Sequence, residues 1–295
     1  MTTLINACGA EYSGTTMLDL MLGNAHDAFS CGEVHAWFRP FRSHHFKVVC
    51  SCGKNLCPYW EKIKNFPENE FHRKVFEKLD VNFVIDSSKE ILWILNNNRW
   101  AEENQIKVIN LLIWKDPIDL IYSYWKRGRG LKRGRISFLK CYKRFFRMEL
   151  PFISVSYNEL AKNPQKKLHD ICNIIGMKYF LGKERFWEKQ HHYLFGSGGI
   201  RKQLENDEPK EIKLTEEFPQ DFKKQLNYLH TMIENDREIE KIVQKLKRAE
   251  VSSVNRIEYE KKKNQIIKVY PMWYYFKKLK RIYKRHFPEP WPPDQ

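Results

Sequence analysis

Near the amino end, LINACGAEYSGTTMLDLML joins two apolar runs through Gly9, Tyr12, Ser13, Gly14, Thr15 and Thr16. Gly9 and Gly14 stand five apart, as in the phosphate loop G-x-x-x-x-G-K-[ST], with Thr16 in the last place and Thr15 where that pattern has lysine. A glycine-rich turn feeding a helix presents backbone N–H groups and the positive end of the helix dipole, so it holds a phosphate without side-chain charge. Thr15 and Thr16 add hydroxyl donors at the first turn. In a nucleotide triphosphatase the loop lysine meets the β- and γ-phosphates and the next hydroxyl binds Mg2+. Here that role is vacant.

A second group that can do chemistry is VVCSCGKNLCPYW (48–60), where Cys50, Cys52 and Cys57 form C-x-C-G-x-x-x-C with His44 and His45 just upstream. Three thiolates and one of these imidazoles would complete a tetrahedral zinc site. A local disulfide and free thiols are the other two readings, and none is assigned a catalytic part. Seven cysteines, otherwise scattered, exclude a disulfide framework for the whole chain.

The elements around these residues alternate. Leu4 to Cys8 reads as a buried strand, and Thr15 to Leu22 as a helix with Met17, Leu18, Met21 and Leu22 on one side. NFVID (82–86), KVINLLIW (107–114) and FISVSY (152–157) are Val- and Ile-rich runs, each followed by a helical segment. The expected fold class is therefore α/β, a P-loop-like parallel sheet flanked by helices, with a helical carboxyl-terminal extension. Ligands of such sheets sit beyond the carboxyl ends of the strands, at 9–16, 86–89, 115–117 and 157–159.

With 295 residues and 42% apolar content the chain can fill an ordinary core, which excludes a disordered protein. Its net charge of +16 calls for an anionic partner. Residues 241–295 hold fifteen Lys/Arg against five Asp/Glu, so most of the excess lies in the last fifth. No secretory signal is visible and no apolar stretch reaches the roughly 20 residues of a membrane helix, so a soluble cytoplasmic protein is expected. Two units follow, a main domain at 1–240 and a basic helical extension at 241–295. In the extension, KVYPMWYYFKKLKRIYKRHF (268–287) mixes aromatic and basic residues at helical spacing. Peripheral contact with an anionic surface, an acidic acceptor, or packing on the main domain are its three readings; nucleic acid is not expected, because no recognition motif accompanies the charge.

At this point the chain resembles the sulfotransferases that use 3′-phosphoadenosine 5′-phosphosulfate (PAPS), in motif style the tyrosylprotein and bacterial members. YSGTTML is similar to that family's 5′-phosphosulfate loop, [KR]-S-G-[ST]-[ST], which implies that Ser13, Gly14, Thr15 and Thr16 grip the 5′-phosphate, with Tyr12 in the place of the basic residue. IWKDPIDLIYSYWKR (113–127) is similar to the 3′-phosphate region, R-D-P-x-x-x-x-x-S, with Lys115 replacing arginine. Pro117 and Asp116 suit a helix start, and Ser123 and Arg127 lie four apart on one helical face, so Lys115, Ser123 and Arg127 can serve one phosphate. Lysine supplies the charge without arginine's bidentate fork. SVSYNELAKNPQKKLHDICNIIGM (154–177) implies Tyr157 on the adenine or ribose side, and HHYLFGSGGIRK (191–202) implies Arg201 and Lys202 over the 3′-phosphate. The resemblance spans Leu4 to Lys202, about two thirds of the chain.

What the resemblance implies is transfer of a sulfuryl group from PAPS, as co-substrate, to a hydroxyl-bearing acceptor (glycan, peptidyl tyrosine or small molecule), without a catalytic metal. SCGEVHAW (30–37) resembles the family's C-G-E motif, so Glu33 is the expected general base and His35 the next candidate. Lys89 in DSSKE, at a strand end, is expected to aim at the bridging or sulfonate oxygens in place of the missing basic residue at position 12. Two rival classes share part of the pattern. One is a nucleotide kinase or NTPase with a degenerate P-loop, which Thr15 opposes, and the other a non-catalytic nucleotide- or polyanion-binding module.

Overall fold

The computed structural model describes residues 2–54, 57–205, 212, 214 and 217–251. Among these, five strands, β1 (Thr3–Gly9), β2 (Ala28–Gly32), β3 (Phe83–Asp86), β4 (Lys107–Trp114) and β5 (Ile153–Ser156), form one sheet in the order β2-β3-β1-β4-β5. Every neighbouring pair is parallel. Helices fill the crossovers: α1 (Thr15–Gly23) after β1, and α2 (His35–Phe38), α3 (Pro58–Glu61) and α4 (Phe71–Leu79) between β2 and β3. α5 (Ile91–Glu103) follows β3, α6 (Pro117–Trp125) and α7 (Leu131–Phe146) follow β4, and α8 (Tyr157–Lys162) and α9 (Pro164–Ile175) follow β5. α10 (Gly198–Glu205), α11 (Gln220–Lys223), α12 (Leu226–Glu234) and α13 (Arg237–Arg248) end the described chain.

Successive side chains of a strand point to opposite faces, and the apolar residues divide accordingly. Ile5 and Ala7 of β1 with Ile109, Leu111 and Ile113 of β4 pack on α1 and α9. Cys8, Leu112 and Trp114 face the other way, onto α5, α6, α7 and α13. Both faces are covered, which is what near-continuous hydrophobic strands require.

One polar cluster interrupts this core. Asn6 Nδ2 donates to Asn110 Oδ1 at 2.9 Å across β1 and β4, and Asn97 Nδ2 of α5 donates to Asn6 Oδ1 at 2.8 Å. Asn98 and Asn110 exchange a further pair of amide bonds at 2.9 and 3.0 Å. All four side chains are buried, so each bond matters less for its own strength than for the donor or acceptor its loss would strand.

Before the extension, the chain supplies α11, α12 and the start of α13. The 240/241 division falls inside α13, whose Ile239, Ile242 and Leu246 enter the same core as β4 and α7. Beyond it, Glu250 accepts from Ser156 N at 3.1 Å and from Lys167 Nζ at 3.2 Å, while Val251 N bonds Ser154 O at 3.0 Å. This part of the chain seals the β5 edge. The basic segment 268–287 lies outside the described residues, as does its expected surface contact. Among the described residues no helix is long and apolar enough to cross a membrane.

Replacing Asn110 by Ala should lower the unfolding free energy by about 2–4 kcal/mol in chemical denaturation, because it strands Asn6 and Asn98 groups away from water. Asn104→Ala, at the exposed end of α5, should change it by no more than about 0.5 kcal/mol.

Candidate active site

The chain steps to one side of β1 for β2 and β3 and to the other for β4 and β5, so the strand order reverses at β1. Open parallel sheets bind ligands beyond the carboxyl ends at such a place. A cleft of about 2100 Å³ opens there. Tyr12, Gly14, Thr15, Thr16, Glu33, His35, Lys89, Lys115, Ser123, Arg127, Tyr157 and Arg201 all border it. Ser13 does not: it is fully buried, and its Oγ donates to Ala10 O at 2.8 Å. The side chain of Lys202 lies outside the described residues.

In the first loop, Gly14 takes φ 103° and caps α1 without any side-chain hydrogen bond. A Cβ on Gly14 would stand 2.4 Å from the ring of Tyr157, so only glycine lets the β5 end close against this turn. The first N–H groups of α1 thus lack a capping side chain at the cleft, the arrangement that favours an anion. Thr16 Oγ1 accepts from Ser197 N at 3.2 Å, tying the loop to the glycine-rich segment 196–199.

At the β4 end, Asp116 accepts from Ile118 N at 2.9 Å and Pro117 opens α6. Lys115 Nζ reaches Ser123 Oγ at 3.4 Å, and Arg127 donates to Ser123 O at 2.6 Å, so the three expected partners meet at one corner. Two rings position the cations: Tyr157 lies 4.0 Å from Lys115 Nζ, and Tyr12 lies 4.2 Å from the Arg127 guanidinium. Burial, aided by the neighbouring charges of Lys126 and Arg127, brings the Lys115 pKa down to about 8.

At the β2 end, Lys89 Nζ pairs with Glu33 Oε1 at 2.5 Å, both partly exposed to the cleft. The amide of His35 is held by Ser88 Oγ at 3.0 Å, and its ring packs beside Trp93 and Phe41. Glu33 follows a tight crossing. Gly32 adopts φ 71°, and a Cβ there would stand 2.1 Å from Leu194 O. Leu194 N donates to Cys31 O at 3.1 Å and Glu33 N to Leu194 O at 3.0 Å, so the 191–201 segment sets the backbone from which Glu33 projects. Further along, Arg201 donates to Phe195 O at 3.2 Å and to Val49 O at 3.1 Å.

The cleft carries ten basic side chains against four acidic ones, and several were not singled out by sequence reasoning. Lys140 and Arg144 on α7 line it with Ser137 and Cys141, all on one face of the helix. Arg42, paired with Glu11 at 2.8 Å, and Lys126 add to the wall. Phe41, His44, His45 and Phe46 belong to it too, from the segment before the cysteines. His44 and His45 are therefore not the imidazoles beside Cys50, Cys52 and Cys57; His192, brought in by the late segment, takes that place.

No family model matches the chain, and no curated protein matches it. Among solved structures, similarity is found to a sulfotransferase domain from the curacin biosynthetic pathway, 16% identical with TM-score 0.49 over 78% of this chain and 97% of that one. A sulfotransferase domain from the Synechococcus PCC 7002 olefin synthase is 14% identical, TM-score 0.41, over 78% and 94%. A sulfotransferase from Alicyclobacillus acidocaldarius is 14% identical, TM-score 0.43, over 83% and 96%.

Gly32→Ala should destabilise the protein by at least about 2 kcal/mol more than Gly128→Ala in denaturant unfolding. Both glycines share the same left-handed φ, 71° and 68°, but no atom lies within 4 Å of a Cβ at Gly128. The difference therefore isolates the Leu194 contact from backbone strain.

Proposed function

We propose that the chain is a sulfotransferase that moves a sulfuryl group from PAPS to a hydroxyl acceptor. The observation that carries this reading is the meeting, in one basic cleft at the end of β1, of a phosphate-type loop without lysine and the Lys115, Ser123 and Arg127 corner. The residues suit a nucleotide with two separate phosphates. Gly14 leaves the first N–H groups of α1 without a capping side chain, and Lys115 is crowded by like charges that a bound anion would relieve.

PAPS supplies an electrophilic sulfuryl group joined to a phosphate that leaves with the bonding electrons. In the proposed arrangement the α1 amino end with Gly14, Thr15 and Thr16 binds the 5′-phosphate, and Lys115, Ser123 and Arg127 bind the 3′-phosphate. Tyr157 borders the nucleoside, and Arg201 with Lys202 closes over the 3′ side. Glu33 Oε takes the acceptor's hydroxyl proton as its oxygen attacks sulfur. Lys89 stands beside it and supplies cleft charge that Tyr12 does not. His35, whose amide is fixed by Ser88, is assigned a positioning part.

Calorimetry is expected to detect 3′,5′-adenosine bisphosphate binding without Mg2+, and Mg-ATP should not displace it. A preference for Mg-ATP sinks the reading in favour of a degenerate-loop kinase. Glu33→Gln should retain nucleotide affinity while losing transfer by about 10²- to 10⁴-fold across an acceptor panel.

The Lys115 corner also sets a pH dependence. In the free protein Lys115 loses its proton above about pH 8, whereas a bound phosphate holds the proton on. Binding then takes up a proton at alkaline pH, and affinity should fall by about fivefold from pH 8 to pH 9. In Lys115→Arg, which stays charged, titrations at the two pH values should agree far more closely.

A further inference from the structure

Away from the cleft, three thiols and one imidazole converge. Sγ of Cys50, Cys52 and Cys57 and a ring nitrogen of His192 all lie within 4.8 Å of one another. Cys57 and Cys50 stand 3.3 and 3.9 Å from His192 Nδ1. In a tetrahedral site with bonds of about 2.3 Å to sulfur and 2.0 Å to nitrogen, such edges measure about 3.5–3.8 Å, so shifts of a few tenths of an ångström to about 1 Å complete it.

The ligand carriers are already oriented. Trp60 Nε1 donates to His192 O at 2.5 Å, and the Tyr59 ring lies 4.2 Å from the His192 ring. Ser51 N bonds Tyr193 O at 3.0 Å, Ser51 Oγ donates to His191 O at 2.7 Å, and Tyr193 N donates to Ser51 Oγ at 3.1 Å. Hydrogen bonds that fix the ligand-bearing backbone are what a preorganised metal site requires.

We propose that Cys50, Cys52, Cys57 and His192 bind one zinc ion that clasps the 50–60 segment to the 191–194 segment. A soft Cys3His set selects zinc, and four protein ligands leave no position for water or substrate, so the ion is structural. Its placement gives it a second consequence. Leu194 bridges Cys50 on one side and Gly32 on the other, and it also holds Glu33 N. The clasp therefore fixes the backbone of Glu33 and the start of the segment that carries Gly196 and Arg201, from outside the cleft.

The test measures metal first, independently of nucleotide or activity, so it stands or falls apart from the functional reading. Full-length protein from zinc-supplemented cells, kept reduced, should contain about one zinc per chain, with X-ray absorption giving three sulfurs near 2.3 Å and one nitrogen near 2.0 Å. Cys52→Ser, the least buried of the three thiols, and His192→Ala should each weaken zinc retention against a chromogenic chelator by at least about tenfold, while Cys141→Ser should not. Stripping the wild type should lower its melting temperature, and added zinc should restore it. Zinc below about a tenth of an equivalent in the wild type overturns the proposal, as does a Cys–Cys disulfide in anaerobically handled protein or unchanged retention in His192→Ala.

Discussion

The carbonyl of Leu194 lies against Gly32 so closely that no side chain fits between them. Much of the cleft's geometry depends on that contact. It holds the amide of Glu33, while Gly32 O accepts from Ser87 N at 3.0 Å and so joins the ends of β2 and β3. The next residues of the β3 end are fixed through Asp86, whose carboxylate accepts from His72, Trp93, Asn97 and the amide of Ser88. Burial pushes the Asp86 carboxyl up, but these donors and the charge of His72 outweigh it, and the group lies below its ordinary pKa. Lys89 leaves this anchored turn and meets Glu33, which leaves the other one. Two anchored strand ends thus set where the side chains of the pair begin.

The cleft wall solves a different problem, that of holding many cations together before any anion arrives. Carboxylates would neutralise the charge that is to be used, and aromatic rings do not. Tyr12 and Tyr157 carry Arg127 and Lys115 on their faces. The residual repulsion is visible in Lys126 as well as Lys115, both lowered by burial and by neighbouring positive charge. Tyrosine at position 12 therefore still brings a guanidinium to its part of the wall.

The strand and helix order was legible because buried parallel strands read as short apolar runs, and the turns between them are punctuated locally by Gly9, Gly14 and Pro117. β2, AFSCG, holds no Val or Ile and lacks the run that marks β3, β4 and β5. The residues that escaped are those whose direction is decided by tertiary packing. Ser13 sits inside the loop motif, yet its hydroxyl turns back onto Ala10 O. Lys140 and Arg144 line the cleft because Phe138, Tyr142 and Phe145 bury the other face of α7. His192 is 135 residues from Cys57, and no local pattern links the two; the connection exists only because Leu194 returns to lie between Cys50 and Gly32.

The absence of a loop lysine then has a physical reading. In a P-loop the lysine concentrates charge on the β- and γ-phosphates of one chain of phosphoryl groups, beside the metal. Here the first loop contributes N–H dipoles and hydroxyls, and full charges come from elsewhere, Lys89 from the β3 end and Lys115 with Arg127 from the β4 end. Positive charge is distributed along the mouth of the sheet instead of being focused at one point. A ligand with one compact run of phosphates would leave part of it unanswered, and a nucleotide phosphorylated at two ribose positions would meet more of it. On the proposed reading, the departures at positions 12 and 15 belong to one redistribution of charge, because the ring at position 12 carries Arg127 from the β4 side and Lys89 from the β3 end stands in the same cleft.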